Sequence, residues 1–226
     1  MSNRCKNSVL VPFDFSLELY KLLYPARPRP PSPLFNRRAD FFDRQLKNEA
    51  QVLLEPICRC QPAVPEQNLL QLGARPFESV DQMDAELIKR WNARVSKDDL
   101  VFHLGDFCFR APQDKVAELV SKLNGRIVLV MGNHDSHPNK WYIDCGFINA
   151  TRFPILVDKN ILLSHEPPAP ELISSKYFYV FGHTHEKHSF TEDNFENTKC
   201  VCVERTEYAP INFNEVLKEA YEYGRR

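Results

Sequence analysis

The sequence predicts an α/β protein, because short apolar runs alternate with amphipathic helical segments over most of the chain. Its 226 residues suffice for one domain with an appendage. Lys and Arg number 29 and Asp and Glu number 30, so the formal net charge of −1 gives no electrostatic reason to expect a nucleic-acid or membrane-surface partner. No apolar run is long enough for a transmembrane helix. The seven cysteines are interpreted as reduced thiols, which predicts a cytoplasmic protein.

The helices are predicted from caps and apolar periodicity. Ser79 suits the first position of a capping box, and the apolar residues after it recur on one helical face. A second helix is expected to begin at Pro112 and to end before Gly125, since proline suits a first helical turn and glycine a helix terminus. Asn212 caps a final helix. Residues 38–54 also carry apolar residues at helical spacing and are predicted as a helix.

The strands are predicted from short apolar runs bounded by turn residues. They are expected at residues 99–104, 126–131, 153–157, 160–164, 177–181 and 199–204. Cys200 and Cys202 share one face of the last of these strands. They are interpreted as core residues, because Cys-x-Cys is not the spacing of structural zinc sites.

Residues 1–66 differ in composition from the rest of the chain. They carry nine of the 17 prolines and contain neither glycine nor histidine. The proline-rich stretch 24–33 is predicted to be extended, and both a linker and a ligand for a polyproline-binding partner fit it. Two regions are therefore predicted: residues 1–66 as an atypical, loosely ordered N-terminal segment, and residues 67–226 as the α/β domain.

Polar residues follow four of the predicted strands. Because loops at the carboxyl ends of strands converge in open α/β sheets, these side chains are expected to meet in one place. Imidazole, carboxylate and amide oxygen suit Mn, Fe, Zn or Ni, and two such ions about 3.5–4 Å apart can hold a phosphate for in-line attack. For the Asp and the Asn, turn formation is the alternative interpretation. The clusters are Gly105-Asp106, Gly132-Asn133-His134-Asp135, Ser164-His165 and Gly182-His183-Thr184-His185.

The order and spacing of these clusters resemble those of the calcineurin-like metallophosphoesterases. The segments Arg75-Pro76-Phe77 and Trp91-Asn92 are similar to a small bacterial and phage-type branch of that family. The resemblance covers about residues 67–216, and it implies a fold of two facing mixed β-sheets flanked by helices. It also implies a hydrolase that cleaves a phosphodiester or a phosphomonoester by attack of a metal-bound hydroxide. The expected substrate is a phosphate-ester small molecule or a nucleotide.

The resemblance implies a dinuclear metal site. Asp106 would bridge two divalent transition-metal ions, such as manganese. Asn133, His165 and His183 would complete the shell of one ion, and His185 would bind the other.

The resemblance also assigns acid–base roles in the loop after residue 131. His134 would sit beside the phosphate, stabilise developing charge and protonate the leaving oxygen. Asp135 would accept a hydrogen bond from His134 and fix its tautomer.

One motif of that family is missing from this sequence. The family opens with Asp-x-His after its first strand, and both residues bind the ion that His185 touches, whereas Gln61 and Ala63 stand in those places here. Either residues 1–66 are a foreign N-terminus, or Asp14 has been recruited across a long insertion. The second ion is therefore expected to be weakly bound or lost. The alternative function is a catalytically impaired relic that binds metal or a partner.

Overall fold

The computed structural model describes residues 50–53, 58–59, 75–109, 111–158, 160–185, 191 and 194–225. The strands are β1 Ala50–Leu53, β2 Cys58–Arg59, β3 Leu100–His103, β4 Cys108–Phe109, β5 Arg126–Val130, β6 Asn149–Thr151, β7 Ile155–Val157, β8 Ile161–Leu163, β9 Phe178–Phe181, β10 Thr198–Cys200 and β11 Ile211–Asn212. The α-helices are α1 Val80–Arg94, α2 Gln113–Lys122, α3 Asn139–Asp144 and α4 Phe213–Tyr223, and Pro170–Leu172 form a 3-10 turn.

The strands form two mixed sheets. The five-stranded sheet has the order β11-β1-β3-β5-β6, in which β11 is antiparallel to β1 and the other pairs are parallel. The four-stranded sheet has the order β10-β9-β8-β7, in which only β7 and β8 are antiparallel to each other. β2 and β4 form a separate parallel pair. Two mixed sheets flanked by helices confirm the fold that the family resemblance implied.

Alternation along β3 and β5 places apolar side chains on both faces of the five-stranded sheet. Phe102 and Val128 point to one face and pack with Ile161 of the second sheet in a shared core. Val101 points to the opposite face and belongs to a second core with Trp91 of α1. One face of the five-stranded sheet is therefore covered by the second sheet and the other by helices.

The three predicted helices of the domain begin where the caps indicated. The Ser79 hydroxyl oxygen accepts a hydrogen bond from the Gln82 amide at 3.1 Å, ahead of α1. Pro112 and Asn212 are the N-caps of α2 and α4. Among the described residues, no helix has both the length and the apolar character needed to cross a membrane.

The last predicted strand is shorter than expected, since β10 ends at Cys200 and the chain turns after Cys202. Both cysteines are buried, and they form a small core cluster with Phe181. The interpretation of the two thiols as core residues is confirmed.

Two short strands lie upstream of residue 75. β1 pairs in parallel with β3 and antiparallel with β11, so it lies inside the five-stranded sheet. The helix predicted over residues 38–54 is therefore wrong at residues 50–53, where the backbone bonds to two neighbouring strands. β1 also lies before the domain boundary predicted at residue 67, which stays a prediction. Asp14, Gln61 and Ala63 lie outside the described residues.

Candidate metal centre

The chain turns sharply where two of the predicted ligands stand. Asp106 has a φ of 52° and His183 a φ of 66°, both in the left-handed region that is costly for residues with a side chain. Gly105, which precedes Asp106, has a φ of 103°, a conformation that glycine adopts readily. These turns after β3 and β9 place Asp106 and His183 beside His165, which follows β8.

His165 lies at the centre of the site. Its Nδ1 lies 2.7 Å from the carbonyl oxygen of Leu104. Because a carbonyl only accepts, Nδ1 carries the hydrogen and the neutral ring keeps its lone pair on Nε2. That Nε2 lies 3.0 Å from Asn133 Oδ1, 3.1 Å from His183 Nδ1 and 3.3 Å from Asp106 Oδ2. Four atoms that can each offer an electron pair therefore converge, an arrangement that a positive charge between them would stabilise.

The donor set fits a divalent transition-metal ion. One ligand atom from each of Asp106, His165 and His183 lies within 4.8 Å of the others, and ligands about 2.1 Å from a shared ion lie about 3–3.5 Å apart. Imidazole nitrogen together with carboxylate oxygen favours Mn, Fe, Zn or Ni over Ca. A Cβ at Gly132 would collide with Asp106 Oδ1 and with the His165 ring. Glycine at this position therefore leaves the space that the ligands occupy.

The carboxylate of Asp106 is buried and held in its charged form. Burial raises the pKa of the Asp106 carboxyl, but when the site is metal-free a protonated His165 ring and the hydrogen bond from the His134 amide outweigh this effect. The pKa of Asp106 therefore lies below its ordinary value. The amide of His134 donates to Asp106 Oδ1 at 2.8 Å.

The carboxylate of Asp135 joins two of the loops. It is fully buried and accepts hydrogen bonds from the backbone amides of Gly132 at 2.9 Å, Asp106 at 2.6 Å and Phe107 at 3.3 Å. Burial raises the pKa of Asp135 to about 6, although the amide bonds favour the charged form. Backbone amides donate all three of these hydrogen bonds, and the hydrogen bond expected from the ring of His134 stays a prediction.

His185 lies in a second polar cluster. Its Nδ1 lies 3.2 Å from Glu204 Oε1 and 3.4 Å from Arg75 Nη2. Arg75 donates to the same carboxylate oxygen from Nε and Nη2, each at 2.8 Å. Burial raises the pKa of the Glu204 carboxyl, but its bonds with His185 and the charge of Arg75 outweigh burial and hold that pKa below its ordinary value. The sequence reasoning missed Glu204, whose signal is a charged residue directly after the buried Val203.

The predicted site residues thus fall into two groups. Asp106, Asn133, His165 and His183 converge within hydrogen-bonding distance of His165 Nε2, and the His134 amide contacts Asp106. The second group holds His185 beside a carboxylate that was not among the predicted site residues. The assignment of these residues as metal ligands, and of His134 as an acid, stays a prediction.

Comparison with known proteins places this chain in one family. The family model of calcineurin-like phosphoesterases matches residues 77–216. An uncharacterized protein of Methanocaldococcus jannaschii is 32% identical over 156 residues, which are 67% of this chain and 82% of the relative. The Gene 66 protein of Mycobacterium phage L5 is 39% identical over 64 residues, which are 27% of this chain and 31% of that protein.

A solved structure shares the fold. The crystal structure of a protein of unknown function from Aquifex aeolicus matches with a TM-score of 0.54 and 22% identity, over 75% of this chain and 98% of that chain. This structural match shows the fold alone, whereas the family model, which matches more than half of the chain, and the archaeal relative show the family. The chain belongs to the calcineurin-like phosphoesterase family.

Proposed function

We propose that the chain hydrolyses a phosphate ester, either a phosphodiester or a phosphomonoester, with divalent transition-metal ions held at Asp106, Asn133, His165 and His183. Four atoms that can each offer an electron pair converge on one point, with His165 Nε2 among them, and this convergence carries the proposal. His185 serves a second ion. When bound, the ions supply Lewis-acid stabilisation of charge and a water of lowered pKa.

His134 is the proposed acid. Its amide is fixed to the buried Asp106 carboxylate at 2.8 Å, and the residue itself is exposed. This combination holds the backbone of His134 beside the ligands, and we assign its imidazole the role of an acid and not of a ligand. There it can stabilise charge on a phosphate and protonate the leaving oxygen of a small-molecule ester or a nucleotide.

Metal analysis and hydrolysis of two aryl esters test the proposal together. Protein purified without chelator is analysed for bound metal and is then incubated with an aryl phosphodiester and an aryl phosphomonoester. We expect at least one ion per chain, and hydrolysis that a chelator abolishes and added Mn²⁺ restores. Metal-loaded protein that hydrolyses neither ester would overturn the proposed activity and favour the impaired relic.

The variant His134→Ala tests the proposed acid separately from the metal. We expect turnover to fall by about 10²–10⁴-fold, because general acid catalysis contributes about that much. Metal content should stay unchanged. The matched control is His137→Ala, which removes a histidine of the same loop whose ring stacks on Trp141 at 4.0 Å. Loss of metal in His134→Ala would show that this residue is a ligand instead.

A further inference from the structure

A buried ion pair lies against His185, outside the four-donor group. The side chains of Arg75 and Glu204 are 1% and 6% exposed, respectively. Both Nε and Nη2 of Arg75 lie 2.8 Å from Glu204 Oε1, and its Nη1 lies 3.4 Å from Met83 Sδ. The guanidinium therefore holds the carboxylate from one side, and His185 Nδ1 approaches the same oxygen at 3.2 Å.

The other oxygen of this carboxylate has an unusual environment. Glu204 Oε2 is buried and has no hydrogen-bond partner within the part of the chain that the structure describes. A buried ion pair contributes little net stability compared with apolar residues of the same volume. Packing alone therefore gives a weak account of a charged pair at this place, and the contact with His185 gives a better one.

We propose that Glu204 is a positioning residue for His185. Its Oε1 accepts a hydrogen bond from His185 Nδ1–H, which leaves the lone pair on Nε2 as the atom that binds the second ion. Arg75 holds the carboxylate in place. A carboxylate bonded to a metal-binding histidine fixes both the tautomer and the orientation of the ring. This inference rests on the proposed function for the existence of the second ion.

The distances favour this arrangement over its competitor. In the competitor, Arg75 Nη2 donates to His185 Nδ1, and the ring hydrogen moves to Nε2. That contact is the longer one at 3.4 Å, and Nη2 already lies 2.8 Å from Glu204 Oε1. A hydrogen bond to a charged carboxylate is also stronger than one to a neutral ring nitrogen. The structure therefore assigns the hydrogen to Nδ1.

Nitrogen NMR of the metal-free protein tests the tautomer directly. The ring nitrogens of His185 are measured in ¹⁵N-histidine-labelled, chelator-treated protein at about pH 8, above the ordinary histidine pKa of about 6.5. We expect the Nδ1–H tautomer in the native protein and a mixture of tautomers in Glu204→Gln. A native ring with its hydrogen on Nε2 would overturn the inference, whatever the protein hydrolyses.

Metal titration tests the consequence. In Glu204→Gln we expect the affinity for the second Mn²⁺ to fall by about 10–100-fold, as is typical when the partner of a metal-binding histidine is removed. The affinity for the first Mn²⁺ should stay unchanged. The matched control is Glu118→Gln, which removes an exposed carboxylate that bonds Lys115 and Lys122 on α2. Equal second-ion affinities in folded Glu204→Gln and native protein would overturn the inference.

A double variant covers the case in which Glu204→Gln does not fold. Removing only the carboxylate leaves Arg75 as a buried unpaired charge, so Arg75→Gln/Glu204→Gln then takes the place of the single variant.

Two further outcomes separate this inference from the proposed function. Native protein that takes up a single ion yet hydrolyses esters overturns the inference and leaves the proposed function standing. Native protein that takes up two ions, shows the Nδ1–H tautomer and hydrolyses neither ester overturns the function alone.

Discussion

Replacing Asp135 by Asn tests whether its carboxylate fastens the loops after β3 and β5. The two oxygens of Asp135 accept three backbone amide hydrogen bonds in a fully buried position. Asn keeps the shape of the side chain but offers one accepting oxygen and one donating amide group. If that oxygen occupies the place of Oδ2, the bonds from Gly132 and Asp106 survive. The amide group then faces the N–H of Phe107, donor against donor.

The expected loss of stability follows from these bonds. A hydrogen bond to a charged group contributes about 1.5–3 kcal/mol, and a buried donor left without a partner costs about 1–3 kcal/mol. One bond is lost and two change from charged to neutral acceptors. Asn also removes the buried charge that raises the pKa of this carboxyl, and that relief offsets part of the loss. We therefore expect Asp135→Asn to lower the free energy of unfolding by about 1–2 kcal/mol. The matched control, Asp144→Asn, removes an exposed carboxylate paired with Lys140 and should cost about 0–1 kcal/mol.

Urea unfolding of the chelator-treated protein measures this loss. The measurement is made at about pH 8, above the pKa of about 6 to which burial raises Asp135, so that the native carboxylate is ionised. The reasoning is refuted if Asp135→Asn unfolds at the same urea concentration as the native protein while turnover falls as in His134→Ala. That result would show that Asp135 acts through the ring of His134, as the family resemblance implied.

Three further variants probe the ligands and the core. Gly132→Ala should lose metal and about 1–3 kcal/mol of stability, because its Cβ collides with Asp106 Oδ1. The control is Gly224→Ala, in which the new Cβ meets its nearest atom at 3.5 Å, and equal urea midpoints for the two variants would contradict the expected collision. His183→Ala should weaken binding of the first ion by more than about 100-fold, because loss of a ligand costs more than the roughly 10–100-fold that loss of a ligand's hydrogen-bond partner costs. An unchanged affinity, measured by calorimetry, would show that His183 is not a ligand. Burial lowers the pKa of His103 to about 3, so the unfolded chain binds a proton that the folded chain excludes. The stability that the neutral His103 ring contributes is full above about pH 6.5 and is lost toward pH 3. Below about pH 6 the free energy of unfolding of the native protein should therefore fall with pH more steeply than that of His103→Gln, by up to about 1.4 kcal/mol per pH unit. Parallel curves of unfolding free energy against pH would contradict the lowered pKa.

The sequence predicted the elements that carry a local signal. Ser79 caps α1 as expected, and the apolar runs before Asp106 and Asn133 are β3 and β5. Because the carboxyl ends of parallel strands meet, the convergence of the polar residues after them followed from the order of the elements alone. The residues that the sequence analysis brought together are therefore those that directly follow strands, because the sheet fixes where strands end.

Features that depend on distant partners were missed. Arg75 and Glu204 are 129 residues apart, and no local pattern joins them. The backbone contacts of Asp135 depend on the fold of two loops, and the family resemblance, which paired Asp135 with the ring of His134, did not reveal them. β1 was predicted as helix because Ala50 and Leu53 continue the helical spacing of the apolar residues before them, whereas its pairing with β3 and β11 makes it a strand.

The place of β1 in its sheet determines when this sheet can be completed. Gln51 pairs with Asn212, and Leu53 pairs with His103 on the other side. During synthesis the pairing with β3 becomes available early, whereas the edge that β11 covers stays open until residue 212 has left the ribosome. An open strand edge is a template for pairing with other chains. The nascent chain therefore carries an open β1 edge during synthesis of the roughly one hundred residues between β3 and β11, and slowing of translation in that interval prolongs the exposure.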